Sequence, residues 1–482
     1  MGKRERRDDL AKETTLIDER HSASGHKYHS WQAQSGNNNG RMEPANDPEA
    51  VTYFAVTDFR NIRQRFGIKE RDRSGHLYIL GKTGTGKSTL IQTMAACDIG
   101  RGQGMALIDP HGDLAEAVLS QVPENRINDV IFFNPSDLDY PIAFNPLEKV
   151  APDKHHLVVS GLISVFKKIW SDFWGPRTEH LLRNSILALL EQPEGTLLDI
   201  PLLLTDRDFR GRVLGRVTDR SVRNFWLLEF EGYGLRLRSE ATAPILNKIG
   251  QFLATPLVRN IVGQPRSSFD LRQIMDEGKI LIADLAKGRI GDDNCSLLGS
   301  LLVTKLQLAA LSRADIPEES RRPFHLFIDE IQSFLTMSFT DILSEARKYK
   351  LYLTMSHQYI GQLDERIRAA IFGNVGTVIS FRVGAEDAKY LAREFYPTFD
   401  ETDLVNIPNH HIYLKMMIDG QTSKAFSAVT MPPAGRTASH KDEILALSRA
   451  SFGTPRATVE RQILLAQKQD DRTPVPKQSS FF

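Results

Sequence analysis

Cysteine is almost absent from this chain of 482 residues: Cys97 and Cys295 are the only two, and no Cys-x-x-Cys pair occurs. That excludes a disulfide scaffold and a cysteine-ligated zinc site, and it suits a reducing compartment. Charge of one sign is also lacking, since 61 Lys and Arg stand against 60 Asp and Glu. So neutral a chain is not a polycation, and any contact with nucleic acid must be gathered on a local basic surface. No run of 18 or more apolar residues is present, and Met1-Gly2-Lys3-Arg4-Glu5-Arg6-Arg7-Asp8-Asp9 holds no apolar signal core. The expectation is a soluble, cytoplasmic chain with no integral membrane segment.

With 41% hydrophobic residues, there is enough to bury a sizeable core. The most informative stretch is Gly81-Lys82-Thr83-Gly84-Thr85-Gly86-Lys87-Ser88, which matches the phosphate-binding pattern G-x-x-x-x-G-K-[ST]. A short apolar strand, 76–80, precedes it and a helical run, 89–96, follows it, which is the context the pattern requires. Glycines at 81, 84 and 86 allow successive N–H groups to line one concavity, with the positive end of the helix behind them. Lys87 then serves the β- and γ-phosphates, Ser88 offers a hydroxyl to Mg²⁺, and Thr89 opens the helix at the nucleotide. ATP and Mg²⁺ are the expected cofactors.

A second stretch, Phe324 to Glu330, is an apolar strand ending in two acids. Opposite a P-loop, Asp329 would hold Mg²⁺ and Glu330 would accept a proton from the attacking water. A further strand, 351–358, ends at Gln358. Placed beside the acidic strand, Gln358 would stand near the γ-phosphate, where its amide orients water or senses hydrolysis.

Strands at 52–56, 104–110, 130–133, 279–285 and 375–382 read as continuous apolar runs alternating with helices, which implies an α/β fold with a mainly parallel sheet. From 151 to 265 strand signals fade and helical periodicity takes over, as in an inserted all-α domain. The expected division is therefore a polar tail at 1–50, an α/β core at 51–150, the insertion at 151–265, the rest of the core at 266–435, and a C-terminal helix with a polar tail at 436–482. Segments 411–416 and 423–429 read as a closing antiparallel pair around Gly420.

Other polar residues keep two readings each. Asp109 and Asp113 either line the nucleotide pocket or shape a turn; His111, His155 and His156 lack metal-ligand spacing. Arg207, Arg210, Arg212, Arg216, Arg220 and Arg223 form either a DNA-facing or subunit-facing surface or a solvated helix face. Lys287 and Arg289 lie in a polar loop that either grips a phosphate backbone or simply connects.

Taken together, the chain resembles the HerA/FtsK superfamily of ring-forming P-loop motors, and within it the TraG/TraD-type conjugative coupling proteins. The resemblance rests on residues 76–88, 108–113, Trp174-Gly175-Pro176-Arg177-Thr178-Glu179, Ile328-Asp329-Glu330, Ala346-Arg347-Lys348-Tyr349, Ser356-His357-Gln358 and 448–456. It implies a RecA-like core, a homo-hexamer with nucleotide sites between neighbours, and Arg347 as an arginine finger reaching the next subunit's γ-phosphate. The other reading of Arg347 is a surface arginine paired with Glu345 or Asp341. Coupling proteins of this kind usually carry N-terminal transmembrane helices, and a polar stretch stands there instead.

The function these features imply is ATP-driven DNA translocation. The alternatives are a coupling ATPase that delivers a relaxase–DNA complex to a type IV secretion channel, and an ATP-gated ring that scaffolds a nuclease.

Overall fold

The computed structural model describes residues 47–58, 63–148, 150–433 and 439–470. Almost all of the expected N-terminal tail, with Lys3, Arg4, Arg6 and Arg7, and the polar end beyond 470 lie outside the described residues.

In chain order the strands are β1 (Val51–Thr57), β2 (Arg65–Lys69), β3 (Leu77–Leu80), β4 (Gly104–Asp109), β5 (Val130–Phe133), β6 (Ile280–Asp284) and β7 (Phe324–Ile328). They continue as β8 (Leu351–His357), β9 (Thr377–Ser380), β10 (His411–Lys415), β11 (Met417–Ile418), β12 (Gln421–Thr422) and β13 (Phe426–Thr430). Eleven form one sheet in the order β2-β1-β13-β10-β9-β3-β8-β7-β4-β6-β5. From β9 through β5 every neighbouring pair is parallel, whereas β10, β13, β1 and β2 add on antiparallel. The mainly parallel α/β sheet is what the alternation of apolar strands and helices implies, and its arrangement is the RecA-like P-loop architecture that the resemblance implies.

Burial on both faces explains why the parallel strands read as unbroken apolar runs. Tyr78, Leu80, Ile108, Phe133 and Ala283 point to one core, and Leu77, Ile79, Leu107, Phe132 and Ile282 to the other. On the second face lies the helix Lys87–Gly100, which buries Leu90, Ile91, Met94 and Ile99 against the sheet. Each of these side chains contributes roughly 1.5–3 kcal/mol. The first face takes the helix Asp292–Ser312. Asp292–Asp315 is long and apolar enough to cross a membrane by length and composition, but it is mostly buried in the protein. It is the central core helix.

Between β5 and β6 the described residues form helices only, from His155–Ile169 to Leu271–Glu277. The first of these crosses the core helix at Gly161, where a Cβ would lie 2.5 Å from Thr304 Cγ2. Only glycine permits that approach.

Two features were hidden in the sequence. The polar segment ahead of β3 forms β2 and the short helix Glu70–Arg73. The stretch that leads into β8 is an α-helix, Phe339–Glu345, that tightens into a 3₁₀ turn at Ala346–Tyr349. The closing antiparallel pair is present as β10 and β13, with Asp419 and Gly420 both at positive φ (52° and 79°) in the hairpin beyond them. The edge strand β5 is covered by the helix Lys441–Phe452, whose Ser448 Oγ accepts from Phe132 N at 3.0 Å. An open strand edge is thereby blocked.

Candidate active site

Sheet register assembles the site. Leu80 of β3 is paired with His357 of β8, and Ile328 of β7 with Met355. The P-loop, Gln358 and the Asp329-Glu330 pair therefore emerge side by side at the C-terminal edge of adjacent strands, where open parallel sheets bind ligands.

In the loop, Gly84 and Gly86 adopt φ of 76° and 120°. No atom lies within 4 Å of a Cβ placed on Gly84, so the crest is open, whereas one on Gly86 would meet His410 Nδ1 at 3.0 Å. The inner wall is tied down. Thr85 Oγ1 donates to Lys82 O at 2.7 Å, His410 N donates to Thr85 O at 2.9 Å, and Lys82 N donates to Arg382 O at 2.9 Å. The roles of Arg382 and His410 in bracing the loop had no signal in the sequence, because both arrive from the far side of β9 and β10. Lys82, Thr83 and Ser88 are exposed, and Lys87 is buried.

Lys87 Nζ donates to Gly81 O at 2.7 Å and lies 3.9 Å from Glu330 Oε1. Burial depresses its pKa, while Glu330 and Asp329 pull the other way. Asp329 is buried, which raises its pKa; Ser356 Oγ donates a short hydrogen bond to its Oδ1. A divalent cation would offset that desolvation, and a carboxylate with a nearby serine hydroxyl is the hard oxygen donor set that Mg²⁺ prefers. The open glycine crest, the helix N-terminus and these oxygens fit a magnesium nucleotide.

Glu330 has φ of 48°, a left-handed conformation that side chains larger than glycine rarely adopt. Its Oε1 accepts from Gln358 Nε2 and its Oε2 from Gln332 Nε2, both at 2.8 Å. Strain of this kind persists where surrounding structure over-determines it, and it clusters at functional sites. Behind Gln358, His357 is held between Tyr78 Oη at 2.8 Å and Gln362 Oε1 at 3.1 Å. Burial pushes its pKa down to about 4, so the ring is neutral and serves as a fixed strut.

Other sequence candidates take structural parts. Asp109 accepts from His111 N at 2.8 Å and Ala115 N at 2.9 Å, so it shapes the turn that opens the helix Asp113–Leu119. His155 Nε2 lies 3.0 Å from Val150 O, and among the described residues no three His, Cys, Asp or Glu side chains are grouped to hold a metal. Lys287 and Arg289 lie on the helix Lys287–Ile290, not on a loop. Arg289 pairs with Asp284 at 3.2 Å and Lys287 with Asp292 at 3.9 Å. Of the six arginines, Arg210 is buried against Glu231 at 2.8 Å and Arg212 lies over the Phe209 ring. Arg207, Arg216, Arg220 and Arg223 are exposed.

Arg347 is exposed and makes no ion pair with a described residue, neither Glu345 nor Asp341 included. It precedes β8, so the seven residues of that strand separate it from its own nucleotide edge. At ~3.3 Å per residue the gap is roughly 20 Å, too far to act on the P-loop of the same subunit.

Two family models and several solved structures resemble this chain. Residues 56–173 match the family described as "Helicase HerA, central domain", and 323–395 match "TraM recognition site of TraD and TraG". No curated protein sequence matches. The fold is similar to that of the bacterial conjugative coupling protein TrwB lacking its first 70 residues, at 18% identity and TM-score 0.57, covering 78% of this chain and 88% of that one. It is also similar to TrwB in complex with a non-hydrolysable ATP analogue, at 18% identity and TM-score 0.58, over 80% and 90% of the two chains. VirB4 of Thermoanaerobacter pseudethanolicus shares the fold at 13% identity and TM-score 0.52, over 81% and 98%. The resemblance to HerA/FtsK-type P-loop ATPases of the TraG/TraD kind thus appears at two separate stretches of sequence and in the fold.

Proposed function

We propose that this HerA/FtsK-type P-loop ATPase is a Mg²⁺–ATP-driven DNA motor, cytoplasmic, related to conjugative coupling ATPases and working as a homo-hexamer. The observation that carries the reading is the convergence of Lys87, Asp329, Glu330 and Gln358 at adjacent strand ends, with Glu330 held by two amides in a strained conformation.

Bound Mg²⁺ would neutralise the phosphate charge. Residues 81–89 cradle the phosphates with backbone N–H groups, and Ser88 and Asp329 supply oxygens to the metal. Lys87 is already aimed across the loop toward the Glu330 side. Glu330 takes a proton from the attacking water, and Gln358, bonded to it, reports its state along β8. Arg347, in no ion pair with a described residue and far from its own nucleotide, suits a neighbour's γ-phosphate. The four exposed arginines of the insertion are candidates for phosphate-backbone contacts, which are independent of base sequence. The domain limits 51–150, 151–265, 266–435 and 436–482 form part of this proposal.

A second reading is favoured by the match over 323–395 and by the fold shared with a coupling protein. In it, the chain brings a relaxase–DNA complex to a type IV secretion channel. Co-purification with membranes carrying that channel distinguishes it.

The test is the steady-state ATPase rate with and without DNA, for the unsubstituted chain and Glu330→Gln, with oligomer mass recorded in the same samples. DNA stimulation that is lost in Glu330→Gln while the ring still forms is the expected result. No hydrolysis in either state, with ATP still driving assembly, would refute the motor and favour a scaffold.

A further inference from the structure

The turn that follows Glu330 is gripped from the helical insertion. Lys168, near the end of the helix His155–Ile169, donates from Nζ to Ser333 O at 2.6 Å and to Gln332 O at 3.2 Å. Both acceptors belong to the 3₁₀ turn Ile331–Ser333, for which Glu330 is the N-cap. From the same turn, the Gln332 side chain donates to Glu330 Oε2 at 2.8 Å. One residue of the insertion is thus two hydrogen-bonded steps from the proposed base.

A simple structural tie would not need an ammonium here. Lys168 pairs with no described carboxylate, and among the described residues the one titratable group acting on its charge is the buried Cys295. Burial pushes the Lys168 pKa down to about 7. Ser333 O already accepts from Ser296 Oγ at 2.9 Å, and Phe334 O from Ser300 Oγ at 3.1 Å, so the core helix anchors the turn on its own side. What Lys168 adds is a hold from a different element, on a turn whose first residue is strained. A strained residue keeps its aim only while its neighbours hold it.

We propose that Lys168 is a positioning residue for ATP hydrolysis: it fixes the turn that aims Glu330, and so couples the seating of the helical insertion to the catalytic base. The inference rests on the reading of Glu330 as the base in hydrolysis. An insertion that shifts under load would loosen or tighten that grip without touching the nucleotide.

The test uses the full chain with Lys168→Met, Lys168→Arg and Glu330→Gln. Measured are kcat, KM, affinity for a fluorescent ATP analogue, and the thermal unfolding midpoint. Methionine is close in size and removes the cost of a half-buried charge, so the fold should tolerate it. Expected for Lys168→Met is a kcat lower by ~10²-fold, the loss typical of a misplaced catalytic group. KM, analogue affinity and unfolding midpoint should stay near those of the unsubstituted chain, and Lys168→Arg should recover part of the kcat. Unchanged kcat in Lys168→Met beside an inactive Glu330→Gln overturns this inference alone. So does a joint loss of kcat, affinity and midpoint that Lys168→Arg fails to repair. No hydrolysis by the unsubstituted chain overturns the parent reading and this inference with it.

Discussion

Gln358 donates its side-chain amide to Glu330 Oε1 at 2.8 Å across 28 residues of sequence. The bond exists because β7 and β8 are parallel neighbours in register, so that both strands release their polar ends at the same edge. It joins the proposed base to the strand that lies directly beside the P-loop strand.

Gln358→Ala should lower kcat by about 10²-fold, the scale of a lost positioning contact to a general base. Affinity for a non-hydrolysable ATP analogue should change less than twofold, since the Gln358 amide bonds Glu330 rather than a group of the phosphate loop. Single-turnover hydrolysis beside an equilibrium titration checks the split; a parallel loss of affinity would instead place Gln358 in nucleotide binding.

Arg347→Ala should abolish turnover by roughly 10³-fold or more, as removal of an arginine finger does. Mixing it with Lys87→Ala should restore part of the rate, because one subunit then supplies the P-loop and the other the arginine. The rate of mixed assemblies against mixing ratio is the measurement, and a mixture no faster than its components would rule out action between subunits.

Gly161→Ala places a Cβ 2.5 Å from Thr304 Cγ2 at the crossing of two core helices. Overpacking of this kind costs about 1–3 kcal/mol. Thr304→Ala should relieve it, and the double variant should be more stable than the sum of the single effects predicts. Chemical denaturation of the four proteins gives the coupling.

Buried Glu70 lies 3.1 Å from His325 Nε2 at the start of β7 and 3.6 Å from Arg101. Burial pushes its carboxyl up, but His325, Arg73 and Arg101 more than offset this and hold it at about 2. Between that value and the ordinary 4.5 the unfolded chain binds the extra proton, so this contribution to stability is complete above pH 4.5 and is lost as the pH falls toward 2. Glu70→Gln should therefore flatten part of the acid limb of stability against pH. Urea denaturation midpoints from pH 5 down to 3 read the difference, and identical limbs would show that the Glu70 carboxyl is not held low.

Much of the fold was legible because its signals are local. A parallel strand covered on both faces must be apolar throughout, and a glycine-rich turn between strand and helix has few uses, so β3 to β8 and the loop at 81–88 could be read directly. Strand β2 was not, because its sequence, Arg65-Phe66-Gly67-Ile68-Lys69, is short, is charged at both ends with a glycine at its centre, and lies at the sheet edge, where only pairing with β1 makes it a strand. Lys287 and Arg289 suggested a loop by composition, but Asp284, Glu116 and Asp292 draw them into ion pairs. The six clustered arginines look alike in the sequence, yet packing buries Arg210 and leaves four others in solvent.

By itself the sequence determined the chemistry available: a phosphate loop, an acidic strand end, a glutamine and an arginine at set places along the chain. These are identities of side chains and need no partner to be recognised. The tertiary structure alone decided that Glu330 is strained and held by Gln358 and Gln332, that Ser356 bonds Asp329, and that Lys168 reaches the same turn from the insertion. Those contacts follow from strand order, register and helix packing, which join residues far apart in the chain and leave no periodic trace in it.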